Sequence, residues 1–140
     1  MSCYNAKHNR KKRMIDSTQY QVNIMIKTAG ELIAEAQSQI NCVDVASAKI
    51  LYDVSENGVI VDLRESESVE KSKLANSAHI SRGLLEMKIA KLCTDSDTLI
   101  LTHCAGGGRA SLGALTLQQM GYTNVHAITA TFEEIKESFG

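Results

Sequence analysis

The chain has 140 residues, of which 44% are hydrophobic and 22% charged, with a formal net charge of −1. This length and composition predict one folded domain with its own core, and no apolar run reaches the ~20 residues of a membrane-spanning helix. The four cysteines show no C-x-x-C spacing and the four histidines form no pair with metal-ligand spacing. We therefore predict reduced thiols in a cytoplasmic protein, with neither a metal site nor a cofactor.

The N-terminal residues 1–26 differ in charge from the rest of the chain. The first 13 residues contain five basic side chains and no acidic one. Such a segment can contact a nucleic acid or an anionic surface, but neither interleaved aromatic residues nor a binding motif accompanies it. No apolar stretch follows that would make it a secretory signal. We predict a flexible, solvated arm that does not bind nucleic acid.

Predicted helices and strands alternate after the arm. A helix is predicted within residues 27–41, where Thr28 and Glu31 have capping-box spacing. A short strand is predicted at the start of "NCVDVASAKILYDVSENG", and further strands in "VIVDL", "AHI", "TLILTH" and "NVHAIT". Helices are predicted between these strands, and the last helix opens with a second capping box, Thr131 to Glu134.

The helix in "GLLEMKIAKLC" is predicted to turn Leu84, Leu85, Ile89 and Leu92 toward the core. Strands such as "VIVDL" are apolar throughout, which is typical of strands buried on both faces. The alternation of such strands with helices predicts an α/β fold with a mainly parallel sheet and helices on both faces.

The stretch "LILTHCAGGGRASLGALTL", residues 99–117, joins a buried strand to a helix. His103 ends the strand, so Cys104 lies at the carboxyl edge of the sheet, where the sites of parallel sheets form. Because neighbouring strand residues point to opposite faces, we predict a structural role for His103 rather than that of a general base. Three consecutive glycines after Cys104 allow successive amide N–H groups to face one point.

These amides and the positive end of the helix dipole favour an anion, which here would be the thiolate of Cys104. A thiolate is the nucleophilic form of cysteine. We predict that the helix begins near Arg109 and that this arginine adds a cation for an anionic substrate. The candidate catalytic residue is Cys104, and the candidate substrate-binding residues are Ala105, Gly106, Gly107, Gly108 and Arg109.

The spacing C-x-x-x-x-R in "HCAGGGRASLGALTLQQMGYTNVHAI" resembles the active-site loop of the rhodanese family of sulfurtransferases. The upstream segment "VIVDLRESESVEKSKLANSAHISRGLLE" resembles the family's D-x-R segment and the region that leads to its G-H-I-P-G-A motif. The similarity covers roughly residues 42–139. We therefore predict a rhodanese-like domain over 42–140, preceded by an extra helix at 27–41.

The resemblance implies a mainly parallel, five-stranded sheet and the transfer of a sulfane sulfur through a cysteine persulfide. Cys104 would accept the sulfur, the backbone amides of residues 105–109 would cradle the persulfide, and Arg109 would favour an anionic donor. Asp62 and Arg64 match the D-x-R and would tie the strand end to neighbouring segments. The implied partners are a small-molecule or protein sulfur donor and a thiol or cyanide acceptor.

Two segments and one residue of the loop depart from the family pattern. The sequence "SKLANS" at 72–77 replaces G-H-I-P-G-A, and "ATFEEI" at 130–135 replaces G-G-x-x-x-W. Ala105 stands where thiosulfate-using members often have a cation. The loop chemistry is unaffected, but another persulfide donor becomes as plausible an expectation as thiosulfate.

Two alternative functions stay open. Related phosphatases and arsenate reductases have a loop one residue longer, whereas four residues separate Cys104 from Arg109 here. A non-catalytic binding or regulatory module is the other alternative, although inactive rhodanese-like domains typically lose the cysteine. The retained cysteine and the four-residue loop both favour sulfur transfer.

Overall fold

The computed structural model describes residues 26–140. The chain divides into two units, residues 1–31 and 32–140. In the first unit Thr28 and Glu31 form the predicted capping box: the amide of Glu31 donates to Thr28 Oγ1, and the amide of Thr28 to Glu31 Oε1, both at 3.1 Å. The predicted basic arm lies outside the described residues except for Ile26.

Helices and strands alternate along the described chain, as predicted. They are α1 (Ala29–Gln37), β1 (Asn41–Val43), α2 (Val45–Val54), β2 (Val59–Asp62), α3 (Ser66–Lys71), β3 (Ser77–His79), a 3-10 turn (Arg82–Leu84), α4 (Leu85–Leu92), β4 (Ile100–His103), α5 (Gly108–Gln119), β5 (Val125–Ile128) and α6 (Phe132–Phe139). Helix α6 begins with the predicted capping box of Thr131 and Glu134. Within residues 26–140 no helix has the length and apolar character needed to cross a membrane.

The five strands form one sheet in the order β1-β5-β4-β2-β3, and every neighbouring pair is parallel. This confirms the predicted five-stranded α/β fold. β4 is the central strand, and all four of its residues are buried. Asp62 at the end of β2 is in register with His103 at the end of β4, so both residues lie at the carboxyl edge of the sheet.

Helices pack on both faces of the sheet. Successive residues of β4 point to opposite faces, and Ile100 and Leu101 accordingly belong to two different buried clusters. α4 and α5 complete the first cluster, whereas α2 and α6 contribute Ala48 and Ile135 to the second. The sheet is thereby covered on both sides and its carboxyl edge carries the connecting loops.

The prediction that four residues around α4 face the core is correct for two of them. Leu85 and Ile89 are fully buried, but Leu84 is 45% and Leu92 39% exposed. Leu84 belongs to the preceding 3-10 turn, which does not continue the angular spacing of an α-helix. At the other end Cys93, the residue after the helix, occupies the buried position, so Leu92 turns outward.

Candidate active site

The candidate site lies where the central strand β4 leads into α5. β4 ends at His103, Cys104 follows, and α5 begins at Gly108, one residue earlier than predicted. Gly107 has a φ of +98°, and a Cβ added to it would lie 3.2 Å from the Cα of Thr129. Because side-chain-bearing residues rarely adopt this φ and a backbone atom yields little, the loop requires glycine at this position.

The sulfur of Cys104 accepts two backbone hydrogen bonds. The amide nitrogen of Gly107 lies 3.1 Å from Sγ, and that of Ala110 lies 3.3 Å from it. Cys104 is only 1% exposed. Amides at the start of a helix lack intrahelical acceptors and lie at the positive end of the dipole, so this position suits an anionic sulfur.

The predicted set of amides, residues 105–109, differs from the one that contacts the sulfur. Gly107 is the member of that set whose amide donates to Sγ, and Gly108 and Arg109 are the first two residues of α5, whose amides lack intrahelical acceptors. Ala110, the third residue of α5, also donates to Sγ and was not among the predicted residues. The signal was available, because the first-turn amides of any helix lack intrahelical partners.

Two further hydrogen bonds connect the loop to its surroundings. Thr102 Oγ1 in β4 donates to the carbonyl of Ala110 at 2.9 Å. The amide of Phe132, at the start of α6, donates to the carbonyl of Ala105 at 3.0 Å. Both ends of the loop are therefore held by neighbouring elements, and neither Thr102 nor Phe132 was a predicted site residue.

Arg109 lies at the rim of the site. Its side chain is 37% exposed, and its Nη1 lies 3.8 Å from Oε1 of Glu65, whose side chain is 68% exposed. An ion pair as long and as exposed as this one contributes little stability. The guanidinium is therefore available to an anion that approaches from solvent.

Asp62 and Arg64 form a buried ion pair beside the site. Arg64 donates through Nε and Nη2 to both carboxylate oxygens of Asp62, and Nη2 also donates to the carbonyl of Ser72 at 2.7 Å. Burial raises the pKa of Asp62, but the hydrogen bonds from Arg64 and the charge interactions with His103 and Arg64 outweigh it, so the pKa is lowered overall. The pair ties the end of β2 to the end of α3, as the D-x-R resemblance implied.

His103 is fully buried and lies against Phe132, with ring centroids 6.1 Å apart. Neither ring nitrogen has a hydrogen-bond partner among the described residues, and Nε2 lies 3.9 Å from Oδ2 of Asp62. Burial lowers the pKa of His103 to about 4, so the ring is neutral at pH 7. Phe132 belongs to the buried cluster on one face of the sheet and Cys104 to the cluster on the other. The His103 ring therefore points away from the Cys104 face, which agrees with the structural role predicted for His103.

Removing the His103 ring should flatten the pH dependence of stability. The unfolded chain binds a proton at His103 with a pKa near 6.5 and the folded chain with one of about 4, so stability falls as pH drops through this interval. Between pH 7 and 5 this residue should cost about 2 kcal/mol of unfolding free energy. Urea unfolding of wild type and His103→Leu at both pH values measures this change in unfolding free energy. Burial also lowers the pKa of His126, but this residue contributes equally to the pH dependence of both proteins. Equal pH dependence in the two proteins would contradict the assignment.

A cavity of about 540 Å³ lies beside α3 and α6, and none of residues 104–109 lines it. Arg64 and Phe132 line it, and α3, the residue after it and α6 supply the remaining side chains: Ser68, Lys71, Ser72, Glu133, Lys136 and Glu137. Phe132 connects the cavity to the loop through its hydrogen bond to Ala105. Within residues 26–140, no three or more His, Cys, Asp or Glu side chains come together in a way that could hold a metal ion.

Fold and loop together define an α/β protein with a cysteine at the carboxyl end of the central parallel strand, held by the first amides of the next helix. The family model of the rhodanese-like domain matches residues 47–138. This chain belongs to the rhodanese-like family.

Two relatives carry names that refer to sulfur chemistry. YrkF of Bacillus subtilis, a candidate sulfur carrier protein, is 28% identical over 100 residues, which are 71% of this chain and 53% of YrkF. The thiosulfate sulfurtransferase GlpE of Coxiella burnetii is 30% identical over 78 residues, which are 56% of this chain and 71% of GlpE. The chain thus spans about half the length of YrkF.

Solved structures share the fold. A Rhodopseudomonas palustris protein of unknown function, described as a possible tyrosine phosphatase, has a TM-score of 0.72 and 28% identity over 83% of this chain and 94% of its own. A thiosulfate sulfurtransferase from Pseudomonas aeruginosa has a TM-score of 0.65 and 24% identity, and the match covers 75% of this chain and 20% of that one. The second likeness concerns the fold alone.

Proposed function

We propose that this protein is a sulfurtransferase that carries a sulfane sulfur as a persulfide on Cys104. The observation that carries the proposal is the sulfur of Cys104 beneath two amide donors at the start of α5, with four residues between it and Arg109. Hydrogen bonds from N–H groups to a charged acceptor are among the stronger ones in proteins. They stabilise the thiolate before transfer and the persulfide after it.

In the first half-reaction the Cys104 thiolate attacks the outer sulfur of a donor such as thiosulfate. A new S–S bond forms to Cys104 while the donor's S–S bond breaks, and its electron pair leaves with sulfite. The charges balance, since a thiolate and a thiosulfate dianion give a persulfide anion and a sulfite dianion. The amides of Gly108 and Arg109, in the first turn of α5, lack intrahelical acceptors and are donors for the added sulfur.

In the second half-reaction an acceptor attacks the outer sulfur of the persulfide. Cyanide becomes thiocyanate, or a thiolate becomes a persulfide, and the Cys104 thiolate leaves with the electron pair of the broken S–S bond. Two half-reactions through one covalent intermediate give ping-pong kinetics.

The physiological donor is a small molecule or a protein persulfide, and the acceptor a thiol. Cys42, Cys93 and Cys104 are all free thiols, which supports a location in the reducing cytoplasm.

Intact-mass measurement tests the proposal directly. The purified full chain is treated briefly with thiosulfate and, separately, with polysulfide, and each product is then treated with cyanide. A gain of about 32 Da that cyanide reverses is expected for one covalently bound sulfur atom. No gain with either donor would overturn the proposal in favour of a non-catalytic binding module.

A phosphatase activity is the second candidate, because the Rhodopseudomonas palustris protein is described as a possible tyrosine phosphatase. The four-residue loop argues against it, since related phosphatases have one residue more. Hydrolysis of p-nitrophenyl phosphate, measured on the same preparation, separates the two candidates. Phosphate release without sulfur loading would replace the proposed function.

Replacing Arg109 should weaken donor binding more than it slows transfer. In Arg109→Ala the donor concentration for half-maximal loading should rise about tenfold, the effect of one lost charge-assisted hydrogen bond, while the maximal rate changes little. Glu65→Gln, which removes the carboxylate 3.8 Å from Arg109, should not raise that concentration. Loading rates of both variants against thiosulfate concentration provide the measurement. A maximal rate that collapses in Arg109→Ala would show that the arginine acts on the reacting atoms instead.

A further inference from the structure

Helix α1 precedes the residues matched by the family model and nevertheless contacts the start of α5. A Cβ added to Gly108 would lie 2.8 Å from Cδ1 of Ile33, so the isoleucine packs directly on the first residue of α5. One turn further along α1, Gln37 Nε2 donates to Ser111 Oγ at 3.1 Å. The end of α1 therefore makes an apolar and a polar contact with α5, the helix that follows residues 104–107. We call these four residues the cysteine loop.

Ser111 connects Gln37 to the loop through a second hydrogen bond. The residue is fully buried, and its hydroxyl donates to the carbonyl of Gly107 at 2.7 Å. A hydroxyl has a single proton, so accepting from Gln37 leaves that proton directed at Gly107. The amide of Ser111 donates to the same carbonyl at 3.0 Å. Gln37, Ser111 and Gly107 thus form a continuous chain of hydrogen bonds.

Gly107 is the loop residue that this chain holds. Its carbonyl accepts from Ser111, and its own amide donates to Cys104 Sγ at 3.1 Å. Without a side chain, and at a φ of +98°, glycine has more backbone freedom than any other residue. The φ and ψ angles of Gly107 lie between its amide and its carbonyl, so contacts on both groups restrict the freedom of its backbone.

We propose that Gln37 and Ser111 are positioning residues that orient the Gly107 amide toward the sulfur of Cys104. The proposal rests on the proposed sulfur transfer, since the amide is needed to stabilise the thiolate and persulfide. Neither residue touches the sulfur. Both act through Gly107, and α1 is then part of the catalytic unit although it lies outside the matched family domain.

Three substitutions distinguish positioning from packing and from charge. Gln37→Glu keeps the side-chain shape, but a carboxylate can only accept, so it takes the Ser111 proton away from Gly107. Gln37→Met keeps the length without polarity and leaves that proton in place. Gln39→Glu is the matched control, because it adds the same charge two residues along, at an exposed side chain whose amide donates to the carbonyl of Glu35.

The first readout is the single-turnover rate of sulfur loading by intact mass. It should fall about tenfold in Gln37→Glu and in Ser111→Ala, two- to threefold in Gln37→Met, and not at all in Gln39→Glu. The donor concentration for half-maximal loading should stay constant, since neither residue reaches the donor. The double variant Gln37→Glu/Ser111→Ala should be no slower than Ser111→Ala, because both changes break the same bond.

The second readout, the amide proton resonance of Gly107 in the unloaded protein, needs no donor. It should move in Gln37→Glu and Ser111→Ala and stay in place in Gln39→Glu. A Gln37→Glu rate within twofold of wild type would overturn the proposal, and so would an equal loss in Gln39→Glu. If wild type itself does not load sulfur, the proposed function fails. Independently of that result, a Gly107 resonance that stays in place in both Gln37→Glu and Ser111→Ala would overturn the positioning role of the two residues.

Discussion

Cys104→Ser should abolish sulfur loading while the fold stays intact. A serine hydroxyl is a poor nucleophile at neutral pH without an adjacent base, and the only neighbouring candidate in this part of the described chain, His103, points to the other face of the sheet. Oxygen is smaller than sulfur, so the substitution fits the buried position. The expected result is a loading rate at least a thousandfold below wild type, on the scale of losing a covalent nucleophile.

Intact mass after thiosulfate and after polysulfide measures this effect. Cys93→Ser, at a buried position, and Cys42→Ser, at an exposed one, are the matched controls and should load as wild type does. Thermal unfolding of all three variants checks that the fold persists. A Cys104→Ser protein that still gains a cyanide-labile sulfur would move the nucleophile to another thiol, and loss of loading in Cys93→Ser alone would do the same.

Arg64→Met should strongly destabilise the fold. Asp62 is completely buried and the side chain of Arg64 is 6% exposed, so removing the guanidinium leaves a carboxylate without its partner in the interior. Breaking a buried pair in this way typically costs about 3–5 kcal/mol. Arg64 also lies over the Phe132 ring, 3.7 Å from its centroid, and this contact is lost as well.

Urea unfolding at pH 7 provides the measurement. Lys49→Met is the matched control, since it makes the same kind of change at an exposed ion pair with Asp53 and should cost less than about 1 kcal/mol. The double variant Asp62→Leu/Arg64→Met should recover part of the loss, because no unpaired charge remains. A single variant no less stable than Lys49→Met would mean that the buried pair contributes nothing to the fold.

The sequence predicted the elements well where a local signal marks them. Apolar runs located β2 and β4, and the capping box of Thr131 and Glu134 located the start of α6. Gly121, which follows the C-cap residue of α5, has the left-handed φ of +107° that favours glycine at such a position. Each of these signals depends on residues within one or two turns of each other, which a single sequence displays directly.

Contacts between distant residues were not accessible in the same way. Gln37 and Ser111 are 74 positions apart, and nothing in the spacing of either indicates that they meet. The exposure of Leu84 depends on a 3-10 turn whose geometry the apolar pattern does not encode. The cysteine loop was predictable because its residues are contiguous, whereas the groups that hold the loop come from α1, β4 and α6.

The parallel sheet also determines when the site can form during synthesis. β1, near the start of the sheet in sequence, has β5 as its partner in the sheet, with Asn41 opposite His126. The residues that close on the loop, Thr129 and Phe132, are translated later still. A nascent chain that has emerged only as far as Cys104 therefore has the cysteine without Thr129 and Phe132 beside its loop. The loop contacts arise only when β5 and α6 have left the ribosome, so a nascent chain can hold Cys104 before the neighbours that fix its loop are present.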